Sequence, residues 1–219
     1  MQGTSAAAKA SNIGGIEMNV SLSSNLYGSG TALVLDRNLD LTDADLEHLF
    51  ELDEALRCRI TTVVLSRTNI QGSGFKYLNA LPNLTRLFLN GSSISDAAPF
   101  DDLPHSLEVL NLDDTGAGDR SVSRLCRLPR LKVLRLEGTE VTDRGVFALL
   151  KLGSLSEVHL GGTATTWMAR RRLENNIALN AAGPSQMMRY AKRYATSLLS
   201  LVTLRAGTRQ HPSNYGVPV

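Results

Sequence analysis

The sequence predicts an α/β solenoid: a stack of similar coils, each a strand, a turn, a short helix and a second turn, with the strands aligned in one parallel sheet. Three observations predict it. A Thr or Ser followed two residues later by a mostly aliphatic position recurs at Thr68, Ser92, Thr115, Thr139 and Thr163, at spacings of 24, 23, 24 and 24 residues. Three and five residues before each of these anchors stand aliphatic pairs: Val63 and Leu65, Leu87 and Leu89, Leu110 and Leu112, Leu134 and Leu136, Val158 and Leu160. A further aliphatic residue falls eight before each anchor, at Ile60, Leu84, Leu107, Leu131 and Leu155. A fixed period of this size marks a repeat architecture and overrides any element-by-element reading.

Each element of the coil follows from side-chain direction. In L-x-L the side chains alternate, so the two aliphatic residues share one face and the residues around them share the other. After the anchor, Thr142 or Asp143 can cap a short helix whose Val146, Leu149 and Leu152 recur at helical spacing and return to the same interior. One coil cannot enclose its leucines. Stacked neighbours bury them at about 1.5 to 3 kcal/mol each, so the array folds as a set. The anchor hydroxyl, buried at the strand's end, is expected to satisfy backbone groups in the next turn, where an unpaired group costs about 1 to 3 kcal/mol.

The ends depart from the repeat. Leu33, Leu35 and Asn38 form a variant first copy with one inserted residue before Thr42 and Asp43, and this unit runs about 30 residues to Thr68. Upstream, Ile16, Met18, Val20 and Leu22 alternate with period two, the sign of a half-buried strand that would cap the first coil's exposed edge. Residues 1–15, rich in Ala, Ser and Gly, read as a flexible segment. The solenoid with its cap strand takes 16–166. Beyond it, 167–207 reads as a basic helical cap or extension, with one helix from Trp167 to Leu179 and another from about Ser185 to Ala206. Residues 208–219 read as an extended tail. The second helix carries an apolar stripe of Met187, Ala191, Tyr194, Leu198 and Val202, suited to cover the last coil or to meet a partner.

The pattern L-x-x-L-x-L-x-x-[T/S/N]-x-[L/I/V] resembles the leucine-rich-repeat family. Its clearest copy is LKVLRLEGTEVTDRGVFALLKLGSL, Leu131 to Leu155, and the resemblance spans Leu33 to Thr163. It implies a right-handed horseshoe with a concave parallel sheet, short convex helices, an N-terminal strand cap and a C-terminal helical extension. The T-x-V-T-D-x-G continuation looks like the variety whose convex side is helical. Ser92, Ser121 and the Pro99 region depart from it, and irregular convex segments are expected there. The resemblance also implies protein ligands as the commonest class.

Composition narrows the function. Hydrophobic residues make up 42% and charged residues 20% of 219, which places the chain among folded globular proteins. No run approaches the roughly 20 apolar residues of a membrane span. No secretory or mitochondrial leader is evident, so the default compartment is the cytoplasm, with organelle import left open. The sequons at Asn19, Asn83 and Asn90 read as accidental. Cys58 and Cys126 stand far apart and read as reduced core thiols. Net charge is +2 overall, but Trp167 to Val219 holds eight basic residues against the single Glu174, leaving that segment at +7 and the rest at −5. Its basic residues, Arg170, Arg171, Arg172, Arg189, Lys192 and Arg193 among them, form either a solvated helix or a contact for an acidic partner.

No phosphate loop, nucleophile elbow or metal-binding helix motif is present, and the sequence reads as non-enzymatic, without cofactor, metal or small-molecule substrate. Asp96, Asp119 and Asp143, one per coil, read as helix caps rather than calcium ligands. His48, His105, His159 and His211 do not cluster at ligand spacing. The concave strand face is the expected contact for a protein partner. Its candidates are Arg86, Phe88, Asn111, Asp113, Arg135, Glu137 and His159, with an exposed Phe88 beside Arg86 and Arg135 as an aromatic and arginine anchor. The alternative is a structural subunit of a large assembly, ribonucleoprotein or cytoskeletal, anchored by its basic tail. Nucleic acid ranks below protein because only Tyr190 and Tyr194 supply stacking surfaces among the basic residues.

Overall fold

The computed structural model describes residues 7–13, 16–22 and 31–181. Eight strands form one sheet in sequence order: β1 Ala7–Ile13, β2 Ile16–Leu22, β3 Thr31–Val34, β4 Ile60–Val64, β5 Arg86–Phe88, β6 Val109–Asn111, β7 Val133–Arg135 and β8 Glu157–His159. The β1/β2 and β2/β3 pairs are antiparallel, and β3 through β8 are parallel. Each parallel strand opens one coil, numbered 1 to 6 from β3.

Register follows the repeat. Leu33, Val63, Leu87, Leu110, Leu134 and Val158 stand side by side in a single row. One step on, backbone bonds from Leu65 to Phe88, Leu89 to Asn111, Leu112 to Arg135 and Leu136 to His159, all 2.8 to 2.9 Å, carry the ladder past the strand ends. The row eight before the anchors, Ile60, Leu84, Leu107, Leu131 and Leu155, is buried with them, as are Val146, Leu149 and Leu152 on the helical side. These residues form one continuous core.

The anchors close the turn that they stand in. Thr68 donates to the Leu65 carbonyl at 2.8 Å, Thr115 to Leu112, Thr139 to Leu136 and Thr163 to Leu160 at 2.7 Å, and Ser92 to Leu89 at 2.5 Å. The acceptor lies three residues back in the same coil rather than in the next turn. The residue before each anchor holds positive φ: Arg37 at 59°, Arg67 at 58°, Gly91 at 67°, Asp114 at 55°, Gly138 at 66° and Gly162 at 68°. This conformation costs a residue with Cβ about 1 to 2 kcal/mol, so glycine suits the position and two arginines do not.

The convex side changes along the chain. Coil 1, the long one, carries a 3-10 helix Ala44–Glu51 and then α1 Glu54–Arg59. Coils 2 and 3 carry only 3-10 helices, Phe75–Ala80 and Phe100–Asp102, and the fully buried Phe75 and Phe100 rings meet at 5.5 Å between centroids. Pro99 and Pro104 bracket the second of these and cannot donate to an α-helical ladder, which accounts for the irregular segment expected there. Coils 4 and 5 carry α2 Asp119–Leu125 and α3 Asp143–Leu149, and α4 Trp167–Ala181 follows coil 6. Ser121, expected to disturb its coil, sits buried inside a regular helix because its amide and hydroxyl both reach Asp96, at 2.7 and 2.9 Å.

The aspartate column does cap helices, but those of the following coil. Asp43 accepts from the amides of Gln71, Gly72 and Gly74, each at 2.9 Å. Asp96 accepts from Gly118, Arg120 and Ser121; Asp119 from the Thr142 amide and hydroxyl and the Gly145 amide; Asp143 from the Thr166 amide and hydroxyl. Within its own coil α3 is capped by Thr142, whose hydroxyl accepts from the Arg144 amide. Gly145 leaves room for the carboxylate, since a Cβ there would come within 2.5 Å of Asp119 Oδ1. Burial works to raise the Asp96 carboxyl, but its hydrogen bonds to Ser121, Gly118 and Arg120 outweigh that and hold it below the usual value.

Three further expectations change. β1 is a strand lying in the segment read as flexible. It pairs with β2 from Ala7↔Ser21 to Ile13↔Ile16, and the two-residue Gly14-Gly15 link between them is a hairpin signature that its small-residue composition obscured. Cys58 is exposed, not a core thiol, because it lies on α1, which buries none of its residues. Val64, on the face opposite the core, is only 1% exposed; Val34 and Phe88 flank this short side chain in its row. The helix read from Trp167 to Leu179 is present as α4, whereas the segments Ser185 to Ala206 and 208–219 lie outside the described residues.

Candidate functional site

Strand alternation turns three rows of side chains away from the core onto what is here the outer face of the sheet. The central row reads Val34, Val64, Phe88, Asn111, Arg135, His159, the preceding row Ala32, Thr62, Arg86, Val109, Val133, Glu157, and the following row Asp36, Ser66, Asn90, Asp113, Glu137, Gly161. All seven candidate contact residues fall on this face, but they form two groups.

The first group is a charge chain across coils 4 to 6. Arg135 Nε donates to Asp113 Oδ2 at 2.7 Å, and its Nη2 lies 3.4 Å from Glu137 Oε2. The Glu137 amide donates to Asp113 Oδ1 at 2.7 Å, while His159 lies 3.5 Å from Glu137 and 2.6 Å from Glu157. The Asp113 hydrogen bond raises the Arg135 guanidinium above its already high value, against a smaller opposing effect of burial. Asp113 is buried, whereas Arg135, Glu137 and His159 are half-buried. Such a chain presents donors and acceptors whose rotamers are already fixed, which lowers the ordering cost of binding.

The second group is Arg86, Phe88 and Asn111. Phe88 is half-buried rather than exposed, and Asn111 stands between it and Arg135 in the central row, so the aromatic and that arginine are two strands apart. Phe88 and Asn111 line a pocket of about 320 Å3 together with Asp36, Arg37, Ser66, Arg67 and Asn90. Arg37, Arg67 and Asp36 were not among the sequence candidates. Their signal was positional: they stand where other coils carry glycine or its immediate neighbour.

The basic segment divides as well. Arg170 is structural: Nε donates to Thr165 Oγ1 at 2.6 Å and Nη2 approaches the Thr163 carbonyl at 3.4 Å, tying α4 to the last turn. Arg172 lies over the Phe147 ring, 5.5 Å from its centroid, and Arg171 is exposed. Arg189, Lys192 and Arg193 lie outside the described residues. Among the described residues no group of three or more His, Cys, Asp or Glu is placed to hold a metal ion, and no helix is long and apolar enough to cross a membrane.

The sequence matches no family model and no curated protein. Among solved structures, the chain is similar to an internalin (InlF) from Listeria monocytogenes, with a TM-score of 0.50 and 20% identity over 70% of this chain and 48% of that one. Internalins are leucine-rich-repeat proteins. The fold is a leucine-rich-repeat solenoid. The chain spans about half the length of InlF. Internalin C2 of the same species aligns at a TM-score of 0.43 with 21% identity, over 66% of this chain and 77% of its own. In the leucine-rich-repeat frame the outer strand face is the concave one, and the seven candidates occupy it from coil 3 to coil 6.

Proposed function

We propose that the chain is a non-enzymatic protein-interaction module that receives a protein partner on the outer strand face. The observation that carries this reading is the Asp113, Arg135, Glu137, His159 and Glu157 chain: charged side chains from three successive coils, fixed by one another on a face that the core does not use. Repeat folds present such rows as an extended surface, because these positions vary without opening the interior. Fixed arginine and carboxylate groups, with an aromatic two strands away on the same face, supply both orientation and the residue types that dominate interface energy.

The experiment compares co-purifying chains. Replacing Arg86, Phe88 and Arg135 together by Ala removes the partner recovered with the parent chain, while Arg127→Ala on the convex side retains it. Retention by the triple variant, with unchanged folding by circular dichroism, overturns the placement.

A further inference from the structure

We propose that the outer face contains a carboxylate-binding pocket, built by Arg37 and Arg67 with the amides of Asn90 and Asn111, that takes an acidic side chain of a peptide partner. The proposal rests on the reading of the outer face as a protein-binding surface and names one contact within it.

The pocket's polar atoms are unevenly committed. The Ser66 hydroxyl donates to Asn90 Oδ1 at 2.6 Å, and the Asp113 amide donates to Asn111 Oδ1 at 2.8 Å. Both side-chain oxygens are thereby occupied, which orients each amide and leaves its NH2 as a donor. Asp36 stands 3.7 Å from Arg37 Nε, so the one carboxylate lining the pocket already has a cation beside it. No carboxylate lies within ion-pair reach of Arg67 among the described residues. What remains on offer is mostly donors, four side chains against the single Asp36 carboxylate, and a donor-rich lining of net positive charge favours an oxyanion.

The backbones of both arginines are fixed, while their side chains are exposed at the rim of the pocket. Each occupies the positive-φ position before its anchor, where coils 3, 5 and 6 carry glycine. Their backbones are pinned by bonds from Arg37 to the Ser66 carbonyl at 2.8 Å and from Arg67 to the Asn90 carbonyl at 2.9 Å. The Arg67 stem crosses Gly91, where a Cβ would stand 3.2 Å from its Cγ. The turn imposes this conformation in every coil and glycine meets it without cost, so an arginine kept there at the rim of a pocket is a candidate for a functional role. Two arginines against one aspartate give the lining a net charge of +1, which a single carboxylate neutralises and a phosphate dianion would exceed. Phe88 supplies an apolar wall for the methylenes of a glutamate.

The test titrates the full chain, 15N-labelled, with a blocked triglutamate peptide, and in parallel with a blocked triglutamine peptide and with inorganic phosphate. Triglutamate is expected to shift the Asn90 and Asn111 side-chain amide signals, with Arg67→Gly weakening it about tenfold or more and Arg67→Lys less, since a charge-assisted bidentate contact is lost. Glycine is native to this position in other coils, so Arg67→Gly keeps the fold, as its melting temperature will show. Absent shifts at Asn90 and Asn111, equal response to triglutamine, response to phosphate alone, or shifts that survive Arg67→Gly each overturn the proposal. If Arg67→Gly retains the partner that the Arg86, Phe88 and Arg135 variant loses, the pocket fails and the outer-face reading stands. If neither variant loses it, both fail.

Discussion

Coils 1 to 3 and coils 4 to 6 share a strand row and, from coil 2 on, an anchor hydroxyl, but differ in their convex sides and turn residues. The first half packs its convex side mainly with 3-10 turns and two phenylalanines, skips the carboxylate ladder at Gly72, and places arginines at the positive-φ position in coils 1 and 2. The second half uses α-helices whose starts are held by an unbroken ladder running from Asp96 at the end of coil 3's turn to Asp143, and has glycine at that position in coils 5 and 6. The outer face divides within coil 4, between a pocket lined by arginines and amides that ends at Asn111 and a self-paired charge chain that starts at Asp113. The difference separates what the fold requires from what it tolerates. The interior row is common to all six coils and the turn-closing hydroxyl to five of them; the convex helix type and the rim residue are free.

If the interior is truly common to both halves, Leu87→Ala and Leu134→Ala, each fully buried, each cost about 3 kcal/mol in urea denaturation. Markedly unequal costs would show that the halves are held by separate cores. Asp119→Ala, which strands the Thr142 and Gly145 amides, costs about 2 kcal/mol and acts only in the second half. The same carboxylates give a pH signature. Asp96 has a lowered value in the folded state, so its contribution is present above the ordinary carboxyl value of 3.8 and is lost as pH falls below it. Urea midpoints at pH 7 and pH 3 should converge for Asp96→Asn relative to the parent.

Thr139→Val leaves the Leu136 carbonyl without its donor and costs about 1 to 2 kcal/mol. The smallest effects carry opposite signs. Arg67→Gly relieves a positive φ and raises stability by up to about 1 kcal/mol. Gly138→Ala, at the equivalent position, lowers it by about 1 to 2 kcal/mol, because the new Cβ also meets Asp114 Oδ1. Calorimetric melting of the pair reads both signs in one experiment, and equal signs would dissolve the distinction between the halves.

Much of this was legible in the sequence because the interior repeats. The rows through Leu87 and Leu89, the anchors, and the helix after Thr142 follow from spacing alone. The targets of Asp96, Asp119 and Asp143 did not: an aspartate at the first turn of a helix looks like that helix's own cap, and its true partners lie 22 to 26 residues on, across a coil boundary. The pocket was hidden for a related reason. Arg37 and Arg67 look like ordinary surface charges until Gly91, Gly138 and Gly162 are seen to share their backbone position. Burial of Val64 was unreadable because it depends on the size of its neighbours one coil away, which no single-coil pattern records.

The forward-reaching aspartates make chain length adjustable in whole units. Asp96 holds the start of coil 4 through groups equivalent to those that Asp119 holds in coil 5, so excising the 23-residue unit between them would present Asp96 with the Thr142 and Gly145 amides that Asp119 now meets. A duplicated or deleted unit therefore inherits a ready joint on both sides, and a lineage could lengthen or shorten this scaffold without inventing new chemistry at the seam.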